Sequence, residues 1–421
     1  MRLGIELLSR KSEYISRCLK NLKKPHKINN NCENEYELAK QFMNLPRFCG
    51  LLQSDGHFTV SYDKEKVQNP KIILSQTTKR LDWLCGIKDW LEEKGIQSSL
   101  PRSVKFTDIK RSVNLTIDRA NCRRLISLIE KEEGLQKTPL LFDNKRVHFL
   151  LLKESIRIKQ SSNQKSLTEI QAKTLVDIFV SLKHINLAKP SLKESGLKLG
   201  QGPKGLSRNS LIERLGFANQ ETKGCADSIL QKIHQEVEVC GTEVLKTVLD
   251  NPKQINPALA EFIVGVFDGD GSFTVGLFTH LSKEGKKLKK RHTFEIVPSI
   301  TLTTHVEEKL FLLKIINAAF GKKKQLRLLT VNKEGKGVRL VIKSAKILKE
   351  FVVPFFEKYP PSLNKNRLKF QTFCTVLGEL PLDYKNKEKV VKIVRFIYET
   401  DLNERNQSLE GFLKIVELDY F

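Results

Sequence analysis

Phe48-Cys49-Gly50-Leu51-Leu52-Gln53-Ser54-Asp55-Gly56 and Ile263-Val264-Gly265-Val266-Phe267-Asp268-Gly269-Asp270-Gly271 are two copies of one pattern. Each runs into a Phe-Thr-Val segment, Phe58-Thr59-Val60 in one case and Phe273-Thr274-Val275 in the other. In each copy a helical stripe of apolar residues stops at Asp-Gly, and glycine suits a helix C-terminus. Such a repeat points to two similar half-domains on one chain. Gly50 and Ser54 stand four apart, on one helix face, as do Gly265 and Gly269. Small residues on one face let two helix backbones approach closely. Packed side by side, the helices bring Asp55 beside Asp270. Adjacent carboxylates at helix C-termini repel, and a hard divalent cation relieves that repulsion. A lone Asp-Gly is ordinarily a helix stop or turn; that reading leaves the shared offset of the two copies unexplained.

Working outward, the segments after each motif alternate as half-buried strands do. Phe58, Val60 and Tyr62 form one row; His57, Thr59, Ser61 and Asp63 form the other. Lys71–Thr77 reads as the antiparallel partner, followed by a helix with Leu81, Leu84, Ile87 and Leu91 on one face. Strand-like runs around Val104 and Phe106, and around Val113, Leu115 and Ile117, precede a helix over 120–132. The second half repeats the order: strands at 272–278 and 294–303, a helix at 306–319, strands at 325–331 and 337–343, and a helix from 345 to about 357. Both halves read αββαββα, an α+β class with antiparallel sheets. A second landmark recurs: Leu140-Leu141-Phe142-Asp143-Asn144-Lys145-Arg146-Val147-His148-Phe149 resembles Tyr359-Pro360-Pro361-Ser362-Leu363-Asn364-Lys365-Asn366-Arg367-Leu368-Lys369-Phe370.

These landmarks divide the chain into an N-terminal extension (1–44), a first repeat (45–187), a linker with a small helical insertion (188–255) and a second repeat (256–421). The extension is polar, with a basic Lys20–Lys27 stretch, and reads as a solvated tail or an arm on DNA. Helical runs near 208–215 and 225–238 make the insertion either a packing hairpin or a helix-turn-helix on DNA.

The chain of 421 residues is 40% hydrophobic with a formal net charge of +25, so it has a core and repels itself unless it meets a polyanion. No apolar run approaches the eighteen or so residues a spanning helix needs, so no membrane partner is expected. The eight cysteines form no C-x-x-C pair and read as reduced thiols. Lys-, Asn- and Ile-rich wording fits an AT-rich organelle genome, chloroplast or mitochondrial.

The two motifs, the doubled αββαββα order and the basic charge resemble the LAGLIDADG homing endonucleases in their single-chain, two-repeat form. The resemblance implies a saddle of antiparallel sheets packed through the two motif helices, and a monomer on a long asymmetric double-stranded DNA site. It implies catalytic acids at the eighth motif position, Asp55 and Asp270, holding Mg²⁺ or Mn²⁺ with main-chain carbonyls of Ser54 and Gly269. It implies metal-dependent hydrolysis of one phosphodiester per strand, leaving short 3′ overhangs. It further implies a basic residue per repeat, for which Lys145 and Lys365 stand, and a water-orienting Gln76. An ungapped match puts Asn366 rather than Lys365 opposite Lys145, and the counterpart of Gln76 falls near Thr303 or Thr304. The sixth motif position holds Gln53 in one copy and Asp268 in the other, so the helix end is expected to be held differently in the two halves.

A two-stranded ribbon can present side chains to base edges in the major groove. The polar strand rows supply His57, Thr59, Ser61, Lys71, Ser75, Thr77, Thr274 and His280 as DNA contacts. The basic loop Lys283–Arg291, with Lys286, Lys287, Lys289, Lys290 and Arg291, suits phosphates. Two other readings share the scaffold: a maturase binding its own intron RNA, and a non-cleaving DNA-binding regulator. Retention of both acids distinguishes the endonuclease reading from the last.

Overall fold

The structure is a computed structural model and describes residues 34–63, 66–101, 112–161, 168–187, 225–251, 255–284, 289–305, 310–320, 328–330, 337–384, 386–400 and 408–418. The expected strand around Val104 and Phe106, the run 208–215, Lys20–Lys27, Lys286 and Lys287 lie outside them.

The first unit opens with α1 (Glu35–Phe42), capped by the Asn34 side chain, and α2 (Leu45–Asp55), capped by Asn44 with Pro46 in its first turn. Strands β1 (Gly56–Asp63) and β2 (Lys66–Thr77) follow, then α3 (Leu81–Glu93), β3 (Ser112–Asp118), α4 (Arg119–Gln136), α5 (Asp143–Ser161) and α6 (Glu169–Leu187). The sheet is antiparallel in the order β1-β2-β3, with Gly56 opposite Leu74 and Gln76 opposite Val113. Part of the expected tail is therefore ordered: α1 packs on α3, burying Leu38 and Ala39, and Gly86 leaves room for the Tyr36 carbonyl.

The 26-residue helix α7 (Cys225–Asp250) joins the units. It touches α5 and α6 of the first unit and α9 of the second, so it braces both rather than hanging as a free linker. The second unit contains α8 (Pro257–Asp270), β4 (Gly271–Glu284), β5 (Lys289–His305), α9 (Leu310–Ala319), β6 (Leu328–Thr330) and β7 (Gly337–Ile342). A helical stretch through Ala345–Ile347, a π turn Leu348–Val352 and Val353–Lys358 leads to α10 (Asn364–Gly378), α11 (Lys387–Thr400) and α12 (Leu409–Leu418). Its sheet runs β4-β5-β7-β6, all antiparallel, with Gly271 opposite Leu302.

Strand alternation sets both cores. Phe58, Val60, Ile72 and Leu74 are buried in the first sheet; Phe273, Ile300, Leu302 and Leu340 are buried in the second. Phe267, Phe273, Phe356 and Phe370 interlock edge-to-face or tilted in the second core. Phe142 and Phe262, 5.2 Å apart, link the units. The five cysteines with described side chains, Cys49, Cys85, Cys122, Cys240 and Cys374, are free thiols. No helix among the described residues is long and apolar enough to cross a membrane.

Candidate active site

Helices α2 and α8 cross at backbone contact. A Cβ on Gly50 would lie 2.1 Å from the Phe262 carbonyl oxygen, and one on Gly265 would lie 2.0 Å from the Arg47 carbonyl oxygen. Each glycine thus faces the carbonyl three residues before the other, a two-fold relation between the copies. Further along, Ser54 Oγ donates to the carbonyls of Gly50 (3.3 Å) and Val266 (3.2 Å). A Cβ on Gly269 would meet Ser54 Cβ at 2.4 Å and Asp55 Oδ2 at 3.2 Å. The helices therefore stay together to their last turn, and the Asp55 carboxylate lies against the turn that carries Asp270.

Gly56 and Gly271 end these helices, as expected of glycine, but not through a left-handed backbone. Both are extended, with φ of −80° and −85°. What excludes a side chain is space: a Cβ would strike the Leu52 carbonyl oxygen at 2.5 Å, or the Phe267 ring at 2.2 Å.

The sixth motif position anchors the loop before the next basic helix in both units. Gln53 Oε1 accepts from Phe142 N (2.9 Å), and its Nε2 donates to Phe142 O (3.2 Å). Asp268 accepts from Ser362 N (2.8 Å), Ser362 Oγ (2.7 Å) and Asn366 Nδ2 (3.2 Å). Both side chains are fully buried. The amide supplies a donor and an acceptor to one residue; the carboxylate needs donors only, and Ser362 and Asn366 supply them. A polar residue inside an apolar helix stripe was the available signal, but its partners lie far along the chain.

Around Asp55 the first unit is well furnished. Gln76 Nε2 donates to Asp55 Oδ2 at 2.5 Å, and Arg80 donates to Gln76 Oε1 at 2.8 Å. Lys145, in the first turn of α5, donates its ammonium to the Gly56 carbonyl. In the second unit the strand register puts Thr304 at the place of Gln76. On α10 Asn366 is buried at the place of Lys145 and donates to Phe267 O and Asp268, while Lys365, one position earlier, is exposed. The two units therefore carry different residues at the places of Gln76 and Lys145.

Lys145 also marks two histidines. The His57 side chain is exposed, yet partial desolvation first, and Lys145 second, lower it from its ordinary range. His148, one turn after Lys145, is 3% exposed, and neither ring nitrogen has a hydrogen-bond partner. Burial chiefly, then Lys145 and His57, push it down to about 3. The unfolded chain binds that proton below its ordinary value near 6.5, whereas the folded chain does so only near 3, so stability is full above 6.5 and falls as pH drops through this window. Between about pH 7.5 and 4.5 the wild type should lose about 3 kcal/mol more than His148→Leu, read from urea unfolding of both.

Sequence reasoning missed Arg47 and Glu261. Arg47 is 1% exposed, and its Nε and Nη2 donate to Glu261 Oε2 at 2.8 and 2.5 Å, pinning the starts of the two motif helices. Glu261→Gln should cost about 3 kcal/mol by leaving a buried guanidinium charge unpaired. Arg47→Met combined with Glu261→Gln should recover most of it, as chemical unfolding of both variants would show.

The outer rows of the sheets are mainly polar. His57 and Thr77 are exposed, and Thr59, Lys71 and Ser75 are partly so, with Ser75 Oγ 2.8 Å from Asn114 Oδ1. Thr274 lies on the corresponding row, its hydroxyl 2.8 Å from that of Ser299. Ser61, His280, Lys289, Lys290 and Arg291 are in the strands β1, β4 and β5.

The sequence over 263–377 matches the family model for the LAGLIDADG endonuclease. No curated protein matches the chain significantly. Solved structures share the fold across most of it. A point mutant of I-SmaMI aligns with a TM-score of 0.52 and 15% identity, covering 86% of this chain and 99% of that one. The LAGLIDADG homing endonuclease I-GzeII, in complex with its DNA target, gives 0.53 and 16%, covering 86% and 100%. I-LtrWI bound to target DNA gives 0.52 and 16%, covering 88% and 100%. Two motif helices locked glycine to backbone, each followed by an antiparallel sheet, give this chain the two-unit fold of the LAGLIDADG homing endonuclease structures, and its second repeat matches the LAGLIDADG endonuclease family model.

Proposed function

We propose that the chain is a site-specific, metal-dependent endonuclease of double-stranded DNA of the intron-homing kind, acting as a monomer and leaving short 3′ overhangs. The observation that carries this reading is the convergence of two acid-bearing helix ends through a crossing where no side chain fits. The described residues contain no cluster of three His, Cys, Asp or Glu side chains. A cation here would therefore draw on Asp55 and Asp270, completed by main-chain oxygens of Ser54 and Gly269, an all-oxygen donor set that suits Mg²⁺ or Mn²⁺. When bound, such an ion acidifies a water and neutralises charge on the scissile phosphate. I-SmaMI has been seen on an uncleaved DNA target in the presence of calcium ions, and on cleaved DNA.

The chain's own groups supply the rest. Gln76, itself held by Arg80, fixes the rotamer of Asp55. Lys145 holds the carbonyl of Gly56, the residue after that acid, from which its ammonium can pass to a phosphate oxygen and stabilise developing charge. Asn366 and Thr304 offer no such cation. Lys145→Met should therefore slow the cutting of one strand by about 10²-fold. A nicked plasmid should accumulate, with run-off sequencing showing the nick always on the same strand.

The function is tested by selecting a bound site from a randomised duplex library with the purified chain. The site is cloned into a supercoiled plasmid and incubated with Mg²⁺ or Mn²⁺. Linear product with 3′ overhangs is expected. A site that is bound tightly but left uncut with either ion would overturn the proposal.

A further inference from the structure

One residue on the outer face of the second sheet does not match its polar surroundings. Along β4 the inward row is Phe273, Val275 and Leu277, and the outward row is Ser272, Thr274, Gly276 and Phe278. Phe278 is 42% exposed, one of few large apolar side chains left in solvent among the described residues. Its ring lies back over Gly276, where a Cβ would come within 2.4 Å of the ring's Cε2 atom. The Lys343 ammonium stands over the ring, 5.4 Å from its centroid. Opposite Gly276 in the register is Val297, so the ring and its floor form a small apolar platform. Counting from the two motif glycines, the first sheet carries Ser61 and Asp63 at these positions.

We propose that Phe278, laid back on Gly276 beside the Lys343 ammonium, reads the 5-methyl group of a thymine in the major groove, and so sets specificity at one base of the half-site under the second repeat. The inference rests on the DNA-cleaving reading above. A strand ribbon in the major groove turns its outward row to the base edges. Thymine alone among the four bases presents an apolar group there, and an aromatic side chain is a suitable contact for it. Lys343, on the same side, can reach the flanking phosphate and hold the platform in register. An aromatic ring also stabilises a sheet simply by covering a glycine, so stability cannot distinguish the two roles; only a response to the base methyl can.

The test uses the full chain and the duplex recovered by selection from the randomised library. Each thymine is replaced in turn by uracil, which removes the methyl and leaves base pairing intact. In the second-repeat half, one substitution should weaken binding by about threefold to fivefold. Phe278→Ala should bind the thymine duplex weaker by a similar factor and no longer distinguish thymine from uracil there. Phe278→Leu, which keeps an apolar surface, should retain part of the discrimination. Equal binding of thymine and uracil duplexes at every position, or discrimination unchanged in Phe278→Ala, would overturn the proposal while leaving the endonuclease reading intact. Failure to enrich any sequence would remove both together.

Discussion

Asp270→Asn and, separately, Asp55→Asn will each reduce double-strand cleavage by at least about 10³-fold, while affinity for the target stays within about threefold. The substitution keeps size and shape and removes only the charge and one oxygen. That oxygen belongs to a ligand set with few side-chain members, because no third acidic, His or Cys side chain converges on the site among the described residues. DNA binding should survive, or tighten slightly, because a negative group near the phosphates is lost. Asp55→Asn carries an added effect: an amide at this place can turn a donor toward the Gln76 donor that now meets Oδ2 at 2.5 Å. The side chain would then rotate, so Asp55→Asn should be at least as inactive as Asp270→Asn. The measurement is conversion of supercoiled plasmid to nicked and linear forms, beside a binding isotherm on the same DNA. Because the Asp55 carboxylate lies against the turn bearing Asp270, both strands should be affected by either change. Normal cutting of one strand in a single variant would show that the acids act independently.

The sequence made some of this site legible and hid the rest for a consistent physical reason. Local periodicity exposes what neighbours in sequence decide: the motif helices, the inward Phe58 and Phe273 rows, and the small residues that mark the helix faces. The crossing of α2 and α8 at Gly50 and Gly265 follows from that pattern. The loop anchors do not, because Gln53 and Asp268 find their partners at Phe142 and Ser362, far away in the chain. Nothing near Arg47 in the sequence announces its partner; only the second helix, arriving with Glu261, makes it a buried ion pair. Lys365 illustrates the limit of composition. In a lysine-rich segment the basic residue attracts the assignment, but the helix phase puts Asn366 at the buried place, and one residue of offset turns a side chain by about 100°. The units differ at the places of Gln76 and Lys145, where the second carries Thr304 and Asn366.

The heaviest structural penalty should come from the smallest change. Gly265→Ala adds one methyl group, yet its carbon would lie 2.0 Å from the Arg47 carbonyl oxygen, 2.9 Å from the Arg47 carbonyl carbon and 3.0 Å from the Gly50 Cα. All three are backbone atoms, so no rotamer can relieve the overlap and the helices must separate. Separation would loosen the Arg47–Glu261 ion pair, open the Phe142–Phe262 contact and lift Ser54 from the Val266 carbonyl. A loss of more than about 4–5 kcal/mol is expected, in the range that single substitutions rarely reach and enough to unfold many domains. Gly50→Ala should behave alike, since its carbon would meet the Phe262 carbonyl oxygen at 2.1 Å. Gly134→Ala is the control. It lies in helix α4 with nothing within 4 Å of the added carbon, so it should stabilise by about 0.5–1 kcal/mol through helix propensity. Urea unfolding of the three variants separates the effects: a Gly265→Ala protein as stable as Gly134→Ala would mean that the two helices do not meet at these glycines, and the shared placement of Asp55 and Asp270 would fall with that contact.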